Sequence, residues 1–222
     1  MAEVDFLNAL HNRTPRDYVA RVVNHDKAEC SEIAKKYGRD YWDGERQYGY
    51  GGYKYDGRWL PIAQAMARHY GLKAGDRILD VGCGKGFLLH EFTQAVPGVH
   101  VEGIDISEYA IANAKEEVRP FLKVGNAVSL PYPDKSFDFV VSLGTLHNFP
   151  ISQLYDAVRE IERVGKGTKK YIMVESWRNE RERMNLLYWQ LTCESFHDVK
   201  NWEWIYKQSG YQGDWGFIFF SK

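Results

Sequence analysis

The chain has 222 residues, and its 29 Lys and Arg against 30 Asp and Glu leave a formal net charge of −1. That balance argues against a nucleic-acid binder, which ordinarily shows a basic face. The length fits one domain with decorations, long enough to bury most of its apolar surface without staples.

Cys30, Cys83 and Cys193 stand far apart, with no CxxC pair and no Cys/His cluster. Neither a disulfide framework nor a metal site is expected, and reduced thiols suit a cytoplasmic protein. The first thirty residues are charged throughout and hold no signal-peptide core. No later stretch approaches the roughly 20 apolar residues of a membrane span, so no membrane partner is expected.

Residues 2–36 have helical composition, with Val19, Val22 and Val23 as a short apolar face. Composition changes at Tyr37. The run from Tyr48 to Trp59 alternates Tyr and Gly, which cannot hold a helix and predicts a loop crossing the face of the domain. Leu60 to His69 returns to helical spacing, with Pro61 in the first turn and Gly71 as the stop.

A strand–helix rhythm follows. Strands are predicted at 77–81, 99–105, 121–124, 137–143 and 170–175, with helices at 87–96, 108–117 and 151–164 between them. Such alternation means βαβ units and a largely parallel sheet. Helices are also predicted at 178–194 and 199–208, and an aromatic strand from Trp215 to Phe220 closes the chain.

Gly82, Gly84 and Gly86 follow the first strand and open a helix. A glycine-rich turn lets a ligand lie against the backbone, and the helix start behind it offers unpaired N–H groups. Asp105 ends the second strand, where an acid accepts hydrogen bonds from ribose hydroxyls in Rossmann-type domains. The dinucleotide fingerprint GxGxxG is broken, because Phe87 stands where its last glycine belongs. Asp80, two residues before the first glycine, is placed to influence a cationic or amino-bearing ligand.

Residues 77–86, Arg-Ile-Leu-Asp-Val-Gly-Cys-Gly-Lys-Gly, resemble the first motif of class I S-adenosylmethionine-dependent methyltransferases. Gly103 to Ser107 resembles the second, Gly125-Asn126-Ala127 with Leu130-Pro131-Tyr132 the third, and Ser136 to Ser142 the fourth. The resemblance covers about residues 60–220, in order and at the right intervals. It implies S-adenosylmethionine as cofactor, with Gly82, Cys83 and Gly84 against its methionine moiety and Asp80 nearby. It also implies Asp105 on the ribose, Ile106 over the adenine, Asn126 and Ala127 at the adenine edge, and Leu143 bordering the site. Asn126 departs from the commoner Asp. The implied fold is a Rossmann-like doubly wound α/β sheet, mostly parallel with an antiparallel C-terminal strand. The cofactor domain would span 60–222, and 1–59 would form an N-terminal helical and loop cap.

The cofactor carries the reactivity in methyl transfer, while the protein supplies position and exclusion of water. His147, just past the fourth strand, and Glu175, at the end of the fifth, are the candidate proton acceptors. Tyr48, Tyr53, Arg46 and Arg58 are expected to build the acceptor pocket from the Tyr/Gly loop, with the arginines facing an anionic group. Trp177 to Arg183 would form the opposite wall. The expected reaction is methylation of a polar small molecule, anionic or sugar-like, on oxygen in preference to nitrogen. A protein or RNA acceptor, or a non-catalytic cofactor-binding protein, are the alternatives. The oligomeric state is open.

Overall fold

The computed structural model describes residues 1–221. Six strands form one sheet: β1 (Arg77–Val81), β2 (His100–Asp105), β3 (Leu122–Val124), β4 (Phe139–Leu143), β5 (Lys170–Ser176) and β6 (Asp214–Phe219). Their spatial order is β3-β2-β1-β4-β5-β6. Every pairing is parallel.

The last strand therefore corrects the antiparallel expectation. β6 runs beside β5 in register from Tyr171 opposite Asp214 to Ser176 opposite Phe219. The reason lies in the connection. Helices α9 (Glu180–Trp189) and α10 (Val199–Gln208) separate the two strands. α10 buries Trp202, Ile205 and Tyr206 in the same apolar cluster as α8 (Ile151–Val164). A helix laid across the sheet returns the chain to the end where β5 began, so the next strand is parallel.

The opposite face is covered by α5 (Leu60–Tyr70) and α6 (Phe87–Ala95). Ile62, Met66 and Tyr70 of α5 pack with Leu88, Leu89 and Phe92 of α6 and with Ile78 and Phe139 of the strands. Pro61 lies in the first turn of α5, and Gly71 ends the helix with φ 58°. Between β2 and β3, α7 (Glu108–Ala112) is shorter than the spacing predicts; Lys115 N–H already donates to Lys85 O at 2.9 Å.

Strand order reverses between β1 and β4, which share hydrogen bonds while their following crossovers go opposite ways. Open α/β sheets bind ligands in the crevice at that point, outside the carboxyl ends. Here the ends of both strands are tied by Ser142 Oγ donating to Val81 O at 2.8 Å.

Residues 1–59 run along one edge of the sheet and then over this crevice. Val4 N–H donates to Trp215 O at 2.7 Å, and Asn8 Nδ2 to Phe217 O at 3.0 Å. The segment holds α1 (Asn8–His11), α2 (Tyr18–Val23), α3 (Lys27–Ala34) and α4 (Arg39–Asp43). The apolar face expected at Val19, Val22 and Val23 is not a core face, since Val19 is 60% and Val23 72% exposed. The six-residue α2 docks instead through Tyr18, edge-on to Trp189 and Phe220. From Tyr48 to Gly57 the chain has neither helix nor strand, as the Tyr/Gly run predicts. Among the described residues, no helix is long and apolar enough to cross a membrane.

Candidate active site

The glycine turn is closed by Asp105. Its Oδ2 accepts from Gly84 N–H at 2.7 Å and its Oδ1 from Ser107 N–H at 2.8 Å. Burial pushes the Asp105 carboxyl up, and these two N–H groups pull it part of the way back. Gly82 has φ 85°, and a Cβ there would lie 2.0 Å from Thr145 Oγ1. Only glycine lets the β1 and β4 loops approach this closely.

Asp80 is buried on β1, and its Oδ1 has no partner. Burial first, and Asp105 second, push its carboxyl up to about 8. A buried carboxylate with no partner is costly, and the carboxyl holds its proton unless a cation arrives.

Two adjoining cavities lie over the carboxyl ends of the sheet. The larger, about 480 Å³, is lined by Asp80, Gly82, Cys83, Gly84, Leu143, His147 and Glu175, and by Arg46, Tyr53 and Arg58 of the cap. The smaller, about 250 Å³, is lined by Asp105, Ile106, Asn126 and Ala127 and shares Gly82 and Leu143 with the first. Ile106 is 52% exposed, an apolar surface open to that cavity. Asn126 Oδ1 accepts from Val128 N–H at 3.1 Å, so the amide also shapes its own turn.

Tyr48 is the expected pocket residue that reaches neither cavity; it packs beside Cys30, Ala34 and Leu191. The segment from Trp177 to Arg183 also stays outside them, with Arg178 paired to Glu182 and stacked on Phe219. Arg58 lines the larger cavity, but its guanidinium is held by both carboxylate oxygens of Asp56.

Several lining residues carry no local signal in the sequence. Trp42 covers the glycine turn, with its ring atom Cη2 2.8 Å from where a Gly84 Cβ would stand. Its Nε1 donates to Ser107 Oγ at 2.9 Å, and Tyr50 stacks on it at 5.2 Å. Arg16 and Arg21 enter the larger cavity from the cap, and Trp189 and Gln190 from the end of α9. No periodicity or motif could have placed residues from two such distant segments at one point.

Glu175 ends in the larger cavity with Gln190 Nε2 donating to its Oε2. Burial pushes its carboxyl up to about 7, against the opposing pull of Gln190 and Arg16. His147 Nε2 lies 3.6 Å from Glu175 Oε2, beyond a direct hydrogen bond. Burial drives the imidazole down to about 3, so it is neutral and forms no ion pair with that carboxyl. The His147 carbonyl accepts from both Glu194 and Ser195 N–H at 2.9 Å, which pins the loop after α9.

The fold and crevice define a class of Rossmann-like α/β cofactor-binding proteins. Residues 79–173 match the methyltransferase domain family. The chain is 32% identical over 125 residues to sterol 24-C-methyltransferase ERG6B of Gibberella zeae, covering 52% of this chain and 33% of that one. It is 36% identical over 110 residues to 27-O-demethylrifamycin SV methyltransferase of Amycolatopsis mediterranei, covering 46% and 39%. The fold matches that of YcgJ from Bacillus subtilis with a TM-score of 0.55 at 23% identity, over 66% of each chain. The chain spans well under two thirds of the length of these curated relatives. Residues 79–173 thus carry a methyltransferase domain, and these likenesses support the resemblance to class I S-adenosylmethionine-dependent methyltransferases, for which S-adenosylmethionine is the expected cofactor.

Proposed function

We propose that this chain transfers the methyl group of S-adenosylmethionine to a hydroxyl oxygen of a polar small molecule held in the larger cavity. The observation that carries this reading is Glu175, a buried carboxyl raised to about 7 on the wall of that cavity. A neutral amine attacks through its lone pair with no proton to lose first, whereas a hydroxyl must give up its proton to the base. A general base works best with a pKa near the working pH, and Glu175 meets that condition where neutral His147 does not.

The residues around the crevice suit the cofactor. Asp80 Oδ1 is a buried acceptor without a partner, matched to a cationic ligand at the glycine turn. Asp105 and Ile106, with Asn126 and Ala127, would hold the ribose and adenine in the smaller cavity, and Gly82, Cys83 and Gly84 the methionine end. When bound, the cofactor supplies an electrophilic methyl on a sulfonium. Trp42 and Tyr50 cover the turn from the cap and keep water from it. The 1–59 segment is read as this cap, and 60–222 as the cofactor domain.

The test is Glu175→Gln. The expected result is a loss of about 10²–10⁴ in kcat for S-adenosylhomocysteine release with a hydroxyl acceptor, at unchanged S-adenosylhomocysteine affinity. Unchanged kcat would remove Glu175 as the base, and with it the argument for oxygen.

A further inference from the structure

Three arginines of the cap converge on one indole ring. The guanidinium carbons of Arg16, Arg21 and Arg46 lie 5.5, 4.6 and 5.0 Å from the centroid of Trp189. All four residues line the larger cavity. Among the described residues, none of the three arginines has a carboxylate within ion-pair distance, although most other buried or half-buried cations here do. Crowding like charges without a counter-charge is unfavourable, and the indole face offsets only part of it. Each arginine depresses or is depressed by another, on top of burial, and Arg21 is lowered to about 10.

The three are held in place by backbone oxygens. Arg16 Nη1 donates to His11 O and Thr14 O at 3.0 Å each, and its Nη2 lies 3.1 Å from the His11 Nδ1 side-chain nitrogen. Arg21 donates from Nε to Trp189 O at 2.9 Å and from Nη1 to Arg46 O at 3.0 Å. Arg46 Nη1 donates to Gly49 O at 2.6 Å. These bonds fix the positions and leave donors over. Arg16 Nε is buried without a partner, and Arg21 keeps Nη2 and Arg46 keeps Nε and Nη2. Thus Arg21 and Arg46 each retain unspent N–H nitrogens, while Arg16, whose one unspent nitrogen is buried, adds its charge.

We propose that Arg16, Arg21 and Arg46, gathered on Trp189, form a subsite for a phosphate group carried by the methyl acceptor. A carboxylate offers one charge and two oxygens in a plane, whereas a phosphate monoester offers nearly two charges and three oxygens in a tetrahedron. Three uncompensated charges arriving from three directions match the second geometry. The one acid facing the group is Glu175, which also lines this cavity and attracts Arg16. The phosphate would therefore sit within one cavity of the proposed base, and the hydroxyl to be methylated belongs to the same small molecule. This deepens the oxygen-methylation reading and rests on it for what is methylated, though not for what is bound.

The experiment is calorimetric titration of the full chain, loaded with S-adenosylhomocysteine, with inorganic phosphate and with acetate. Phosphate is expected to bind at least about ten-fold more tightly than acetate. Arg46→Gln, at the most exposed of the three sites, and Arg21→Gln are each expected to weaken phosphate about ten-fold. S-Adenosylhomocysteine affinity, which also reports folding, should not change. With turnover, Arg46→Gln should raise KM for a phosphorylated acceptor and leave kcat alone. No phosphate binding by the natural chain, equal binding of acetate, or full binding by Arg46→Gln overturns the subsite. Loss of activity in Glu175→Gln with phosphate binding intact supports it. Failure of the natural chain to bind S-adenosylhomocysteine would sink the cofactor reading instead, and the phosphate titration remains decisive without it.

Discussion

Lys85 of the glycine turn and Asp43 of the cap are joined by two hydrogen bonds, at 2.8 and 2.6 Å from Lys85 Nζ. Lys85 also donates to Tyr53 O at 3.0 Å, and Tyr109 O–H donates to Asp43 at 2.9 Å. The glycine turn and the loop that covers it are thus a single electrostatic unit. Burial alone would raise the Asp43 carboxyl, yet the Lys85 and Tyr109 hydrogen bonds hold it below its ordinary value.

Lys85→Met should therefore loosen the cap. Removing one partner of a wholly buried pair costs about 3–5 kcal/mol; with Asp43 24% exposed, about 2 kcal/mol is expected here. Protease cleavage should begin within residues 44–57 in the variant, and S-adenosylhomocysteine should bind more weakly. Unchanged cleavage and affinity would show that the aromatic stack holds the cap alone.

If Asp80 faces the cofactor as proposed, cofactor affinity should depend on pH. The Asp80 carboxyl, raised to about 8 against an ordinary 3.8, must ionise to face a cation. Affinity should rise by up to about ten-fold per pH unit below 8 and level off above it. Asp80→Asn should abolish that rise. The same shift acts on stability in the opposite sense. Between about 4 and about 8 the folded, ligand-free chain holds a proton that the unfolded chain has lost, and Glu175 behaves likewise up to about 7. Their contribution is complete below about 4 and is lost as pH climbs through those raised values. The Tm of the ligand-free chain should fall across this window, and S-adenosylhomocysteine should flatten the decline. A flat Tm without ligand would contradict the burial of both carboxyls.

Gly82 separates a packing requirement from a conformational one. At φ 85°, with Thr145 Oγ1 2.0 Å from a would-be Cβ, Gly82→Ala meets both a strained backbone and a collision. A loss of about 2–4 kcal/mol is expected in chemical denaturation, with cofactor binding lost. Adding Thr145→Gly removes the collision and leaves the strain. The pair should recover part of the stability; no recovery would mean that φ alone decides.

What was legible in the sequence follows from how local each signal is. β1 and α8 fall at the predicted bounds because each is framed by its own punctuation, glycines after Val81 and Pro150 before Ile151. Asp80 and the glycines share one strand–turn–helix and Asp105 ends the neighbouring strand, so their placement at one turn was legible. The direction of β6 was not, since it depends on which face α10 chooses, and Trp202 and Tyr206 read only as apolar. Nor were Arg16 and Arg21, more than 150 residues from Trp189, to which the fold alone brings them. The anionic expectation was placed on Arg46 and Arg58; Arg58 is satisfied by Asp56 two residues away, a local pairing that composition cannot reveal.

Gln190 offers a way to move the proposed base without removing it. Its Nε2 donates to Glu175 Oε2, a bond that stabilises the carboxylate and opposes the upward push of burial. Gln190→Leu keeps the bulk and deletes the donor, while neutral His147 stays 3.6 Å away. The Glu175 carboxyl should then rise above its present value of about 7, by about one unit. If Glu175 accepts the acceptor's proton, the ascending limb of the kcat profile should move alkaline by the same amount. The rate near neutrality should fall several-fold, and the plateau at high pH should be retained. Glu175→Gln should instead lower the plateau itself and erase the limb. A profile that Gln190→Leu leaves in place would mean that the limb reports a group other than Glu175.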